Sequence, residues 1–429
     1  MTDEIRHDYL SPRWTGELND CSLPMTFDTY SNCSFGCVYC FSQYQRGIGS
    51  SKEKYKAKDV RSVNVQKIKD IFLGKRPSQF SQYIAERRTM QWGGLSDQFD
   101  GFERKYGVTL ELLKFFKEID YPITFSTKSV WFLDDPRYTD LIKGQKNWNC
   151  KFSIITLDEH DAARIEQGVA SPQRRLEAIE KYANLDAGGA TLRLRPFIIG
   201  VTSKNYLELI RQAHEHGATA MTTEFFCLER RSTISAADNY KVISECCGHD
   251  IVEFYSKNSH GSGYLRLNRR IKEPYVRKMQ ALSHELGMRF YVSDAHFKEA
   301  CDNCCCCGLP NEWKVSRFNF SEALQLCKKN GSVRYSEIKE GHTHFDGFEW
   351  GKAEGYNCSS TNRRAKFKGM TMADFMHYLW NTPTAGQSPY QIFEGVMRPD
   401  GYDDKGDIIY VYDQSRTFVQ QGDVEDCRA

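Results

Sequence analysis

The chain has 429 residues, of which 40% are hydrophobic and 27% charged, and its formal net charge is +2. That length accommodates an α/β barrel of ~250 residues with an appendix, and the composition is that of a globular chain, not a fibrous or disordered one. A balance so close to neutral excludes a globally basic nucleic-acid binder, so any such footprint must be local.

No run approaches the ~18 apolar residues of a membrane span, and Met1-Thr2-Asp3-Glu4-Ile5 lacks a signal-peptide apolar core. Sixteen cysteines without a secretion signal point to metal binding in a reducing cytoplasm, not to disulfides. A cytoplasmic location without membrane contact is the expectation.

In chain order, residues 1–20 read as a polar lead-in, with Tyr9, Leu10 and Trp14 tucking against the body. The run Pro24 to Tyr30 is the first strand, and a cysteine loop follows it. Arg46 to Lys58 is a basic loop, and Asn64 to Phe72 a helix with Val65, Ile68 and Ile71 on one face. Short apolar runs then recur at βα spacing: Thr89–Trp92, Pro122–Ser126, Phe152–Thr156, Thr191–Pro196 and Ala220–Phe226, with helical patterns between them. These six strands alternating with helices predict parallel pairing with right-handed crossovers. A helix through Tyr275, Val276, Met279, Leu282 and Leu286, then Met288–Val292, suggests a seventh unit. The reading is an α/β fold: a partial (β/α)6 barrel of the TIM type over residues 21–300, with a Cys-rich α+β extension over 301–429. In the extension, Phe320 to Cys327 reads as a helix, Asn330-Gly331 as a turn and Ile408–Tyr412 as a strand.

The loop Cys33-Ser34-Phe35-Gly36-Cys37-Val38-Tyr39-Cys40 has the spacing C-x3-C-x2-C. Structural metal sites normally close with four thiolates. Three in one tight loop hold three corners of a cubane and leave the fourth iron open, and an open position is where chemistry starts. Gly36 supplies the backbone freedom such a wrap needs. A partial zinc site or three buried thiols is the bland alternative. In parallel barrels the working residues sit at strand C-termini, where this loop falls.

This motif, with Tyr39 before the last cysteine, is the signature of the radical S-adenosylmethionine superfamily. Gly93-Gly94-Leu95-Ser96-Asp97, Ser126-Thr127-Lys128-Ser129, Ser153–Asp158 with Glu166 and Arg174–Ile179, and Arg193–Gly200 resemble its spore photoproduct lyase-like branch. The likeness covers about residues 24–226, and the acid that usually follows the glycine pair is missing. The resemblance implies a 4Fe–4S cluster on Cys33, Cys37 and Cys40 that chelates S-adenosylmethionine and cleaves it to a 5′-deoxyadenosyl radical. It further implies cofactor contacts from Tyr39, Gly93, Gly94, Ser96, Asp97, Lys128 and Ser153, and a reductant such as flavodoxin or ferredoxin. Physically, the methionine carboxylate wants a point cation such as Lys128, and ribose hydroxyls want an acceptor such as Asp97. Solvated Lys128 and an N-cap Asp97 are the structural alternatives. Cys227, ending a strand, is a candidate hydrogen donor, whereas Cys150 reads as a core thiol at a strand start. Arg193 and Arg195 share one face of a strand, either inward toward anionic ligand groups or outward toward helix acids.

Cys301-Asp302-Asn303-Cys304-Cys305-Cys306-Cys307 places five cysteines in seven residues. Such density predicts structural zinc or an auxiliary iron–sulfur cluster on Cys301, Cys304 and Cys307, completed by Cys327, Cys246, Cys247 or His296. Leu265–Lys278 and Thr361–Lys368 are locally basic with interleaved aromatics, which favours a nucleic-acid or nucleotide substrate over a solvated face. Modification of a peptide or small molecule with an auxiliary cluster is the competing enzyme reading. A non-catalytic metal-binding or redox-sensing protein is the third.

Overall fold

The computed structural model describes residues 5–42, 59–229, 237–260, 264–339, 344–350 and 367–416; the basic loop 46–58 and most of the patch 361–368 lie outside them. Eight strands form one sheet in chain order: β1 (Arg13–Trp14), β2 (Met25–Phe27), β3 (Met90–Trp92), β4 (Ile123–Thr127), β5 (Trp148–Ser153), β6 (Ala190–Phe197), β7 (Ala218–Phe225) and β8 (Arg289–Val292). From β2 to β8 every neighbour is parallel, and β1 lies antiparallel along β2. The fold is therefore a partial α/β barrel. The seventh parallel strand is present, and β1 is an added edge that the sequence reading did not anticipate. Among the described residues no helix is long and apolar enough to cross a membrane.

Alternation along each strand divides the sheet into two chemistries. Trp92, Phe125, Cys150, Phe152, Leu192, Leu194 and Met221 face the helices and are buried in the main core. Opposite them, Thr124 bonds Asn149 at 3.1 Å, Asn149 bonds Thr191 at 3.3 Å, and Arg193 bonds Ser153 at 3.0 Å across the inner face. The interior is thus polar, unlike the apolar layers that fill closed barrels.

The fifth strand corrects the expectation. It spans Trp148–Ser153, so Cys150 is mid-strand, not at a strand start, with its sulfur fully buried against the helix layer. Ile154 and Ile155 read as strand because they are apolar, yet Ile155 belongs to a second, smaller core. That core gathers Val38, Ile165, Phe226, Tyr240 and Tyr255 beneath helices Ala237–Cys247 and Ile251–Asn258 and a three-stranded sheet.

The C-terminal region is α+β, with helices Phe320–Asn330 and Met372–Trp380 beside an antiparallel sheet of Ser332–Val333, Met397–Tyr402 and Ile408–Tyr412. One apolar cluster runs from the barrel into the extension. Trp14 carries much of this join, meeting Phe80 at 4.6 Å, Phe345 at 5.3 Å and Phe348 at 5.5 Å. Leu10, by contrast, is 72% exposed.

Candidate active site at the barrel mouth

Beyond β2 the chain is pinned before it reaches the cysteines. Asp28, fully buried, pairs with Arg13 at 3.0 Å and accepts the Leu95 and Ser96 N–H groups at 2.7 and 3.0 Å. The Tyr30 hydroxyl donates to Glu103 at 2.6 Å, and Asp100 accepts from the Ser34 N–H at 2.5 Å. Gly36–Cys37 then pairs antiparallel with Glu166–Gln167, and the Val38 N–H donates to the Ile165 carbonyl at 2.9 Å. A side chain at Gly36 would stand 3.2 Å from the Gln167 Cβ, so the bare backbone permits this close approach.

Cys37 is buried, and Cys33 and Cys40 are half-buried. Burial pushes the Cys37 thiol up to about 12, with the Lys128 cation pulling the other way. Burial raises Cys33 as well, reinforced by Asp100 and Asp97. A bound cation reverses that penalty by holding the thiolate form. Among the described residues no three cysteine sulfurs lie within 4.8 Å of one another.

The Tyr39 hydroxyl donates to Glu166, whose other oxygen pairs with Arg175 at 2.6 Å, both of them 1% exposed. Arg175 in turn donates to the Ser153 carbonyl at 2.7 Å. The cysteine loop is thereby tied to the end of β5. Glu166 and Arg175 lie in stretches quoted for the resemblance, but spacing alone gave them no partner. The Lys128 ammonium sits 5.6 Å from the centre of the Tyr39 ring.

Gly93 adopts φ +94°, and a Cβ there would fall 2.5 Å from Gln98 Oε1 and 2.6 Å from the Ser126 carbonyl. At Gly94 the near atom is an Arg13 guanidinium nitrogen, 2.7 Å away. Asp97 accepts from the Thr127 hydroxyl, the Lys128 N–H at 2.7 Å and the Phe99 N–H at 3.0 Å. The Ser96 hydroxyl donates to the Tyr30 carbonyl at 2.8 Å, and the Ser153 hydroxyl accepts from Arg193. Cys227 follows β7, half-buried, with burial and nearby Glu224 pushing its thiol up to about 12.

Arg193 and Arg195 both turn inward. Arg195 pairs with Glu224 at 2.5 Å. Burial and the neighbouring Arg195 pull Arg193 down to about 10, while Glu224, then Cys307 and Tyr39, act against this.

Among the described residues, Cys301, Cys304 and Cys307 do not have all three sulfurs within 4.8 Å of one another. The Cys301 sulfur accepts from the Val292 N–H at 3.2 Å, and the chain then doubles back along β8, with the Asp302 N–H donating to the Phe290 carbonyl at 3.1 Å. Cys304 stands beside Ser22 and Glu322. Cys307 enters the barrel interior, 3.7 Å from Gln91 Oε1, where the Cys306 carbonyl accepts from Thr222 at 2.6 Å and Gly308 abuts Thr191. Residues 306–308 thus form a floor under the mouth. The proposed distant ligands lie elsewhere: Cys246 and Cys247 in the second core, Cys327 on the Tyr410 carbonyl, and His296 beside Lys272.

The basic stretch 265–278 is not one face. Arg269 is buried against Glu299, Lys272 against Asp294 at 2.8 Å, and Arg277 pairs with Glu273. Tyr275 packs on Phe197, Tyr206 and Phe225 and offers no ring for a base.

Solved structures of radical S-adenosylmethionine enzymes are similar to this chain in fold. A spore photoproduct lyase variant shares 18% identity at a TM-score of 0.48, covering 67% of this chain and 80% of that one. Spore photoproduct lyase complexed with dinucleoside spore photoproduct gives the same figures of 18%, 0.48, 67% and 80%. SuiB of Streptococcus suis bound to S-adenosylmethionine shares 12% at a TM-score of 0.41, covering 66% of this chain and 54% of that one. The likeness is one of fold. No protein-family model and no curated protein matches the sequence.

Proposed function

We propose that this chain is a radical S-adenosylmethionine enzyme whose Cys33, Cys37 and Cys40 hold a 4Fe–4S cluster. The observation that carries the reading is the three-cysteine loop at the C-terminal mouth of a partial parallel barrel, anchored through Tyr39, Glu166 and Arg175, with the Lys128 ammonium over the Tyr39 ring. When bound, the cluster and S-adenosylmethionine supply a 5′-deoxyadenosyl radical that abstracts hydrogen from substrate, and flavodoxin or ferredoxin supplies the electron.

The chain's own part is binding, orientation and exclusion of water. Lys128 offers a point charge to the cofactor carboxylate. Asp97 fixes the Lys128 backbone with its carboxylate oxygens, so its role is to position that cation. Ser96 steadies the same turn through Tyr30. Gly93 and Gly94 keep the strand end low enough for a ligand to lie across it. No metal is assigned to Cys301, Cys304 and Cys307.

The test is anaerobic reconstitution followed by iron, sulfide and 5′-deoxyadenosine assays on wild type and Cys37→Ala. Wild type is expected to hold about four irons and to release 5′-deoxyadenosine, and the variant to lose both. Release at the wild-type rate from the variant sinks the assignment.

A further inference from the structure

On the inner face of the sheet, below the cysteine loop, Lys151 has no ion-pair partner among the described residues, whereas Arg193 and Arg195 share Glu224 nearby. Lys151 lies mid-strand on β5, and its flanking residues Cys150 and Phe152 face the helix layer, so its side chain enters the interior. As a residue it is 1% exposed, and among the described residues it makes no ion pair or hydrogen bond. Ser126, its register partner on β4, has a buried hydroxyl without a partner. Gln98, fully buried beside Gly93, has both amide atoms unbonded. On the next strand Arg193 bonds the Ser153 hydroxyl and lies near Glu224, which pairs with Arg195.

A buried ammonium without a counter-charge is expensive, and native chains keep one chiefly where a partner arrives. Lys151 enters the interior two residues before Ser153, about 7 Å deeper at ~3.3 Å per residue. That depth separates it from Lys128, the cation assigned to the cofactor at the rim.

We propose that the chamber between the cysteine loop and the Cys306–Cys307 floor receives a compact oxyanion of the substrate, a carboxylate or phosphate, on Lys151 and Arg193. The inference deepens the enzyme reading above and rests on it for the word substrate. Lys151 provides the point charge and Arg193 the planar fork. Ser126 and Gln98 complete the set as neutral donors. An oxyanion seated there places the rest of its molecule under the mouth, where hydrogen abstraction would occur.

The experiment titrates the full chain with sodium phosphate and separately with sodium acetate at constant ionic strength, reading the unfolding midpoint. Wild type is expected to gain a saturable rise in Tm with at least one of them, and the more effective anion names the substrate group. Lys151→Met removes the unpaired charge at similar volume. It is expected to raise the anion-free Tm and to weaken the anion effect at least tenfold, and Arg193→Gln to weaken it as well. The exposed Lys278→Gln, outside the chamber, is expected to behave as wild type.

No saturable response in wild type, or an undiminished response in Lys151→Met, overturns the proposal. S-adenosylmethionine affinity is measured on the same variants. An unchanged value in Lys151→Met supports the substrate assignment, and its loss overturns it in favour of a cofactor site. Because the anion titration needs no turnover, failure of radical chemistry in wild type would remove the enzyme reading while leaving the oxyanion site standing.

Discussion

The hydroxyl of Tyr39 donates to the carboxylate of Glu166, 127 positions further along the chain. Glu166 also pairs with Arg175, and neither partner of that pair has meaningful contact with water. One carboxylate therefore couples the cysteine loop to the end of β5, and the loop's geometry depends on it.

Glu166→Gln leaves the Arg175 guanidinium buried without its counter-charge, which is destabilising by about 3–5 kcal/mol. Tyr39→Phe removes one bond to a buried carboxylate, about 1.5–3 kcal/mol. Urea unfolding of the two single variants and the double variant is expected to show less than additive losses, because both act on one network. Full additivity would show that Tyr39 and Glu166 act independently.

Gly93 is the turn residue with the least room. Gly93→Ala meets a left-handed backbone and two oxygens inside 3 Å, and the expected loss is about 1–3 kcal/mol. Gly74→Ala shares a positive φ of +70° but meets nothing within 4 Å, so it should lose only ~1 kcal/mol. Equal midpoints for the two variants would refute the crowding argument.

Lys128→Met keeps the length of the side chain and removes its charge. S-adenosylmethionine affinity should fall at least tenfold, about 1.4 kcal/mol, with iron content unchanged. Equilibrium dialysis on reconstituted protein reads both quantities. Undiminished affinity would take Lys128 out of the cofactor site.

His344 reports on the join between barrel and extension. It contacts Ser316 at 3.0 Å and Glu86 at 3.6 Å, and burial pulls its pKa below the usual histidine value, with Glu86 opposing. Between the lowered folded value and ~6.5 the unfolded chain binds the proton more readily. Stability is therefore present above ~6.5 and lost as pH falls below it. Urea midpoints at two pH values, one either side of ~6.5, should drop more for wild type than for His344→Gln. Parallel drops would show that His344 stays neutral in both states.

The parallel barrel was legible because each strand carries a β-rich apolar run and each crossover a helical period, signals that depend only on local sequence. The cysteine loop was legible for a similar reason, since three thiols within eight residues need no tertiary partner to be noticed. Tertiary structure decided what lay between distant residues. It moved the fifth strand back to Trp148, with Ile154 in the main core and Ile155 in the second, smaller one. It dispersed the basic stretch 265–278 by pairing Arg269 and Lys272 with acids from a later turn. It turned Arg193 and Arg195 inward and left Lys151 beside them without an ion-pair partner among the described residues. Sequence spacing determines which groups recur on one face of a strand. Which charges meet is set by how strands far apart in the chain come into register.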